Sequence, residues 1–197
     1  MASRYLYLAR HGDASDDGTL TPAGEQQSRQ LGRRLAGVPI LDIHHGPLPR
    51  TARTAEVVGA SLPAALRHAS DALGDYVPPV GDPTALPPVH ARSLAPVTVA
   101  DLHRGAALAT AAVATHTGPA ATETHELVIT HSFLIAWLLR DALGAPDWRW
   151  VGLNAANAAL TVILYRDDRP PALLAFNDMT HLTPELRWTG FPAELRV

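Results

Sequence analysis

A chain of 197 residues with 47% hydrophobic and 18% charged residues has the size and composition of one globular domain. It contains no Cys, which excludes disulfide frameworks, thiolate metal centres and cysteine nucleophiles, and all sixteen Lys+Arg positions are Arg, which excludes Schiff-base and P-loop lysine chemistry. The net charge of −3 gives no basic footprint, so no nucleic-acid partner is expected.

The start, Met1-Ala2-Ser3-Arg4-Tyr5, lacks the regions of a signal peptide, and the Ala-rich 105–114 run is too short to span a bilayer. A cytoplasmic chain without a membrane partner is expected. Tyr5-Leu6-Tyr7-Leu8-Ala9 is a continuous apolar run of the kind that forms a strand covered on both faces, and it stops at Arg10-His11-Gly12. Thr21 and Pro22 then open a helix, Thr21 as cap and Pro22 at the first helical position, with Leu31 and Leu35 on its apolar stripe. Ile40–Ile43 reads as a second strand, His44-His45-Gly46-Pro47 as its end, and a helix is expected from about Arg50 to Ser61.

Residues 74–98 carry Pro78, Pro79, Pro83, Pro87, Pro88 and Pro96, which oppose regular helix and central strand, so this stretch reads as a long excursion from the sheet. A helix from Val99 to about His116 follows, then a strand over Leu127–Thr130, His131-Ser132, and an apolar helix from Phe133 to Leu143. Ala158–Tyr165 and Ala172–Phe176 complete the set as strands. Strands alternating with helices predict a single α/β domain over 1–197, a three-layer α/β/α sandwich with a mostly parallel central sheet and a Pro-rich excursion near its site.

Arg10-His11, Arg50 and His131 each follow a predicted strand. In an open parallel sheet the carboxyl ends of strands share one edge, so these groups converge there. Guanidinium forks, imidazoles and helix N-termini together suit a dianion such as phosphate.

These residues carry a resemblance. Leu8-Ala9-Arg10-His11-Gly12, Leu20-Thr21-Pro22-Ala23-Gly24-Glu25-Gln26, the Gly46-Pro47-Leu48-Pro49-Arg50-Thr51-Ala52-Arg53-Thr54-Ala55 segment, Val128-Ile129-Thr130-His131 and Phe176–Leu182 resemble, in order, the motifs of the histidine phosphatase superfamily, the phosphoglycerate-mutase-like proteins. The resemblance implies that His11 is the nucleophile that becomes a phosphohistidine, and that Arg10, Arg50 and His131 hold the phosphoryl oxygens. It implies neither a metal nor another cofactor. The substrate class it implies is a phosphorylated small molecule or phosphoprotein.

The family draws its acid from a Glu in a Leu-x-Glu element, but no Glu lies between Glu56 and Glu123. Leu73-Gly74-Asp75 matches the spacing with Asp, and Asp71–Pro78 resembles the branch of the mitochondrial phosphoglycerate-mutase-like protein phosphatase. Asp75 is therefore the expected general acid and base, reaching roughly 1.5 Å less far than Glu; the alternative is a solvated loop carboxylate. Ser132 stands where the family commonly has Gly and is expected to cap the Phe133 helix.

His44-His45 lacks a third ligand at characteristic spacing, so no metal site is expected there, and His45 reads as a pocket-rim residue or a surface one. His68, His90, His103, His116 and His125 read as solvated, His181 as structural, and Trp137 as core. The expected activity is metal-independent phosphomonoester hydrolysis with a bell-shaped pH profile. Two alternatives stay open: a phosphoglycerate-mutase-type transfer, disfavoured by the short excursion with few charges, and a phosphate-pocket protein without turnover.

Overall fold

A computed structural model describes residues 3–94 and 96–196. Met1, Ala2, Ala95 and Val197, parts of the expected N-terminal run, Pro-rich excursion and domain span, lie outside the described residues. In chain order the elements are β1 (Ser3–Arg10), α1 (Pro22–Leu35), β2 (Asp42–His45), α2 (Pro49–Gly59), β3 (Leu66–Ala69), α3 (Pro88–Leu94), α4 (Val99–His116), β4 (Thr124–Thr130), α5 (Ser132–Ala142), β5 (Leu160–Arg166) and β6 (Arg169–Asp178).

All six strands form one sheet in the order β3-β2-β4-β1-β5-β6. The β3-β2-β4-β1 part is parallel, whereas β5 and β6 run antiparallel. Side chains alternate across the sheet with period two. Ala9, Ile43, Leu127 and Ile129 meet Leu31 and Leu35 of α1 and Ala55 and Val58 of α2 on one face. Leu6, Leu8 and Val128 meet Ala109 and Ala112 of α4 and the Leu134–Leu139 stripe of α5 on the other. That double cover is the α/β/α arrangement, and it explains why β1 and β4 read as unbroken apolar runs. No helix among the described residues is long and apolar enough to cross a membrane.

The sheet also contains a strand that the sequence did not show. β3 is an edge strand whose four residues are exposed, so it has no apolar period and exists through its pairing with β2. The Pro-rich excursion holds a regular helix, α3, contrary to expectation: Pro88 occupies its start and no proline recurs before Pro96, so the backbone donors are intact in between. The excursion is also tied down. Trp150 Nε1 donates to the Pro79 carbonyl at 2.8 Å, and the Val77 carbonyl packs where a side chain at Gly105 of α4 would stand. β6 begins earlier than expected and includes Pro170 and Pro171, which an edge strand tolerates at its start.

Local chemistry aims the chain ends of β1 and β4. Thr21 caps α1 by accepting from Gly24 N–H at 3.1 Å, and Gly12 passes so close to this helix that a Cβ on it would lie 2.5 Å from the Gly24 carbonyl oxygen and 2.9 Å from Ser28 Oγ. A Gly12→Ala variant is therefore expected to lose about 1–3 kcal/mol, seen as a fall in Tm of roughly 2–4 °C per kcal/mol. Gly37→Ala, where a Cβ meets nothing within 4 Å, serves as the near-neutral control in the same thermal melts.

Candidate active site

The sheet delivers Arg10-His11, Arg50 and His131 to its carboxyl edge, and the excursion returns Asp75 to the same place. Arg10, His11, Asp75, His131, Ser132 and Phe133 line a cavity of about 280 Å³. The His11 and His131 rings stand 5.1 Å apart. Arg50 Nη2 donates to Asp75 Oδ2 at 2.7 Å, and His131 Nδ1 lies 3.6 Å from that same oxygen. The five residues singled out from sequence thus form one constellation.

The backbone at His11 is gripped on all sides. His11 N–H donates to the Thr130 carbonyl at 3.0 Å, Asn157 Nδ2 donates to the His11 carbonyl at 2.9 Å, and Gly12 N–H donates to Thr54 Oγ1 at 3.0 Å. The Thr54 hydroxyl in turn donates to the Arg50 carbonyl at 2.7 Å. One hydroxyl therefore fixes the His11 loop against the helix that carries Arg50. Arg10 Nη1 donates to the Ala155 and Gly190 carbonyls, so the chain's last segment closes over this guanidinium. That segment is held by a small cluster of Ala156, Ala159, Met179, Leu182 and Leu186. His181 Nε2 donates to the Ala158 carbonyl and supports the same backbone, as expected of a structural residue.

His11 is set up electronically as well. Its Nδ1 must be the protonated nitrogen, because it donates to the Gly12 carbonyl at 2.8 Å, and Nε2 is left with a free lone pair. Burial, reinforced by Arg10, His131 and Arg50, pushes the His11 pKa down to about 3 despite that hydrogen bond. Burial followed by Arg50 and Arg10 pushes His131 down to about 3 as well. Both imidazoles are neutral at neutral pH, and the guanidiniums supply the positive charge. His131 Nε2 is buried without a hydrogen-bond partner, a cost that a bound oxyanion relieves.

Several residues depart from their sequence-based reading. Ser132 does not cap α5; the helix starts at Ser132 itself with His131 in the cap position, and Ser132 Oγ accepts from Ala155 N–H at 3.1 Å instead. The small polar side chain serves the neighbouring loop because its hydroxyl lies inside the first turn. His116 is buried and His125 is stacked against Tyr5 at 4.5 Å, so neither is solvated; His68 and His103 are exposed as expected. Trp137 is buried with the Arg140 guanidinium 3.7 Å above its ring. Asn157 and the Gly190 segment carried no recognisable spacing, because they contribute through loop backbone after the sheet has closed. Thr54 was visible only as part of the motif around Arg50.

A second cavity of about 480 Å³ adjoins the first and shares Asp75 with it. Its walls include Pro47, Leu48, Tyr76, Val77 and Leu108, with Asp101 and Arg104 at the rim of α4.

The model of the histidine phosphatase superfamily, branch 1, matches residues 6–73 and 96–179, well over half of the sequence. The chain belongs to this superfamily. It is 29% identical over 195 residues to the mitochondrial serine/threonine-protein phosphatase PGAM5 of Rattus norvegicus, covering 93% of this chain and 66% of that protein. The Homo sapiens counterpart is 28% identical, covering 93% and 65%. The chain thus spans just under two thirds of these curated relatives. Among solved structures, phosphoserine phosphatase from Entamoeba histolytica aligns with a TM-score of 0.65 at 17% identity, covering 91% of this chain and all of that one. A mycobacterial glucosyl-3-phosphoglycerate phosphatase aligns at 0.62 and 20%, covering 89% and 99%, and phosphoglycerate mutase from Plasmodium falciparum at 0.62 and 19%, covering 89% and 91%. These likenesses establish the mixed α/β fold.

Two neutral imidazoles held below their ordinary pKa make stability depend on acid in one direction. The unfolded chain takes up protons on these groups below about pH 6.5, while the folded chain does so only near 3. Their contribution is complete above about 6.5 and is lost progressively as the pH falls toward 3. Urea midpoints measured from pH 7 to pH 4 are expected to fall more steeply for the wild type than for a His11→Asn, His131→Asn double variant.

Proposed function

We propose that this chain is a phosphomonoester hydrolase that works without a metal through a phosphohistidine at His11. The observation that carries the reading is the position of Asp75. It forms a shared wall between the cavity holding His11 and His131 and the larger cavity beside it, whose walls mix apolar side chains with Asp71, Asp101 and Arg104. A phosphoryl group in the first and an organic group in the second place the bridging oxygen next to the one carboxylate that borders both.

In the first step His11 Nε2 attacks phosphorus, the phosphorus–oxygen bond to the leaving group breaks, and Asp75 supplies the proton to the departing oxygen. In the second, water attacks the phosphohistidine, Asp75 takes the water proton, and the phosphorus–nitrogen bond breaks to release phosphate and neutral His11. Arg10, Arg50 and His131 stabilise the charge spread over the equatorial oxygens. In the resting site Arg50 is shared with Asp75. A dianion seated on Arg50 competes with Asp75 for that guanidinium and leaves the carboxyl beside the leaving oxygen.

The family membership and the named activities of the relatives, phosphatases acting on proteins, phosphoserine and a glucosyl-phosphoglycerate, support a phosphorylated small molecule or phosphoprotein as substrate. In the presence of chelator, wild-type turnover of an aryl phosphate is expected to persist. His11→Ala should abolish it together with the acid-labile phosphoryl label on the chain; undiminished turnover in that variant overturns the nucleophile assignment. Asp75→Asn is expected to slow esters with poor leaving groups by about 10²-fold or more and good leaving groups much less. Equal rates for wild type and Asp75→Asn on a poor leaving group would remove Asp75 from the chemistry. Arg50→Ala is expected to weaken binding of inorganic phosphate by roughly 10–100-fold in calorimetry, the loss of a charge-assisted contact.

A further inference from the structure

Away from the catalytic cavity, a second group of ionisable side chains gathers on the α4 face of the sheet. Asp42 and His44 on β2 share that face by strand alternation, His68 of β3 is in register with His44, and Glu126 of β4 is in register with Asp42. His116, in the last turn of α4, covers them. The ligating atoms of His44, His116 and Glu126 all lie within 4.8 Å of one another. His45 lies on the opposite face, and the two further ligands that His44 lacks in its own segment come from residues 72 and 82 positions further along the chain.

Ordinary hydrogen bonding does not account for this arrangement. His116 is 2% exposed, yet its Nδ1 has no hydrogen-bond partner. The nearest carboxylate oxygen, Glu126 Oε2, is 3.7 Å away, beyond hydrogen-bond length. The His44 ring stands 4.8 Å from the His116 ring, edge-on, and brings a second imidazole to the same point. Arg4 Nη1 forms a long ion pair with Glu126 Oε2 at 3.7 Å and has its closer contact at the Thr115 carbonyl, 2.7 Å away, so the carboxylate keeps acceptor capacity for a further partner. Asp42, bound by His68 Nε2 at 2.8 Å, adds negative charge at the margin.

We infer that His44, His116 and Glu126 form a binding site for one divalent transition-metal ion of the zinc class. Two imidazole nitrogens and one carboxylate oxygen are the donor set that borderline cations of this class accept. Metal–ligand bonds of about 2.0–2.2 Å hold tetrahedral donors about 3.3–3.5 Å apart, so donors already within 4.8 Å close on an ion by side-chain movements of about an ångström. Three protein ligands leave a coordination position for water. The ion would join β2, β4 and the end of α4, and none of its three ligands lines the cavity of His11 or the one beside it, which makes it a clamp on the fold and no participant in phosphoryl transfer. The inference is independent of the proposed hydrolase activity.

The test is metal binding by the full chain, stripped with chelator and then freed of it. Calorimetric titration with Zn²⁺ is expected to show one equivalent bound, and Co²⁺ to develop the visible absorption of a low-coordinate site. Saturating Zn²⁺ should raise Tm by roughly 5 °C or more at a hundredfold excess over Kd. His44→Ala and Glu126→Gln should each weaken binding at least tenfold and remove the Tm rise. His44 is half-buried and the Gln is isosteric, so these variants spare the fully buried His116; circular dichroism confirms that they fold. His11→Asn should bind Zn²⁺ like the wild type, which separates this site from the catalytic imidazoles. Absence of one-equivalent binding, unchanged affinity in both the His44→Ala and Glu126→Gln variants, or loss of binding in His11→Asn overturns the inference.

Discussion

Four groups able to carry positive charge meet at one edge of the sheet, and burial decides which of them do. Arg10 and Arg50 stay protonated because a guanidinium has no accessible neutral form. His11 and His131, buried beside them, cannot add further charge and stay neutral down to about pH 3. The division of labour follows directly. Permanent charge suits an anion, while one imidazole keeps a free lone pair, the two properties on which the proposed hydrolysis rests. At that edge the His11 loop is fixed by its hydrogen bonds to Thr54 and Thr130, which accept, and from Asn157, which donates.

The surrounding fold is organised to make that edge. The parallel part of the sheet sends β1, β2 and β4 out in one direction, and the glycine after His11 lets the loop turn directly onto α1. The antiparallel β5 and β6 add no site side chain by themselves. They carry the segment after β6 back across Arg10, whose two carbonyl acceptors at Ala155 and Gly190 come from opposite sides of that pair. Precision at the site thus depends on chain that is distant in sequence and close in space.

Much of this was legible from the residues. β1, β4, α1, α2, α4 and α5 announced themselves through apolar runs, the Thr21–Pro22 start and 3.6-residue periodicity, and Arg10, His11, Arg50 and His131 through their shared place after strands. Asp75 was found by its spacing after Leu73, although only the structure reveals its contact with Arg50. β3 was invisible because an exposed edge strand needs no apolar pattern. α3 was hidden by the density of prolines around it, which set its limits without interrupting it. Ser132 followed the general preference for capping only in type, since its partner is a loop N–H and not a helix one. His116 looked solvated because its sequence neighbours are polar or loop-like, but the helix it ends packs on the sheet and turns this imidazole inward.

The ion pair between Arg50 and Asp75 has a consequence for selection among anions. A ligand that takes the Nη2 donor of Arg50 competes with a carboxylate that is already tethered to the same protein, 2.7 Å from the guanidinium. A singly charged anion offers Arg50 little that Asp75 does not already provide, whereas a dianion offers more charge and more acceptor oxygens. In the proposed reaction the pair therefore favours the ligand with more charge and more acceptor oxygens, through competition for one guanidinium nitrogen and with no steric filter.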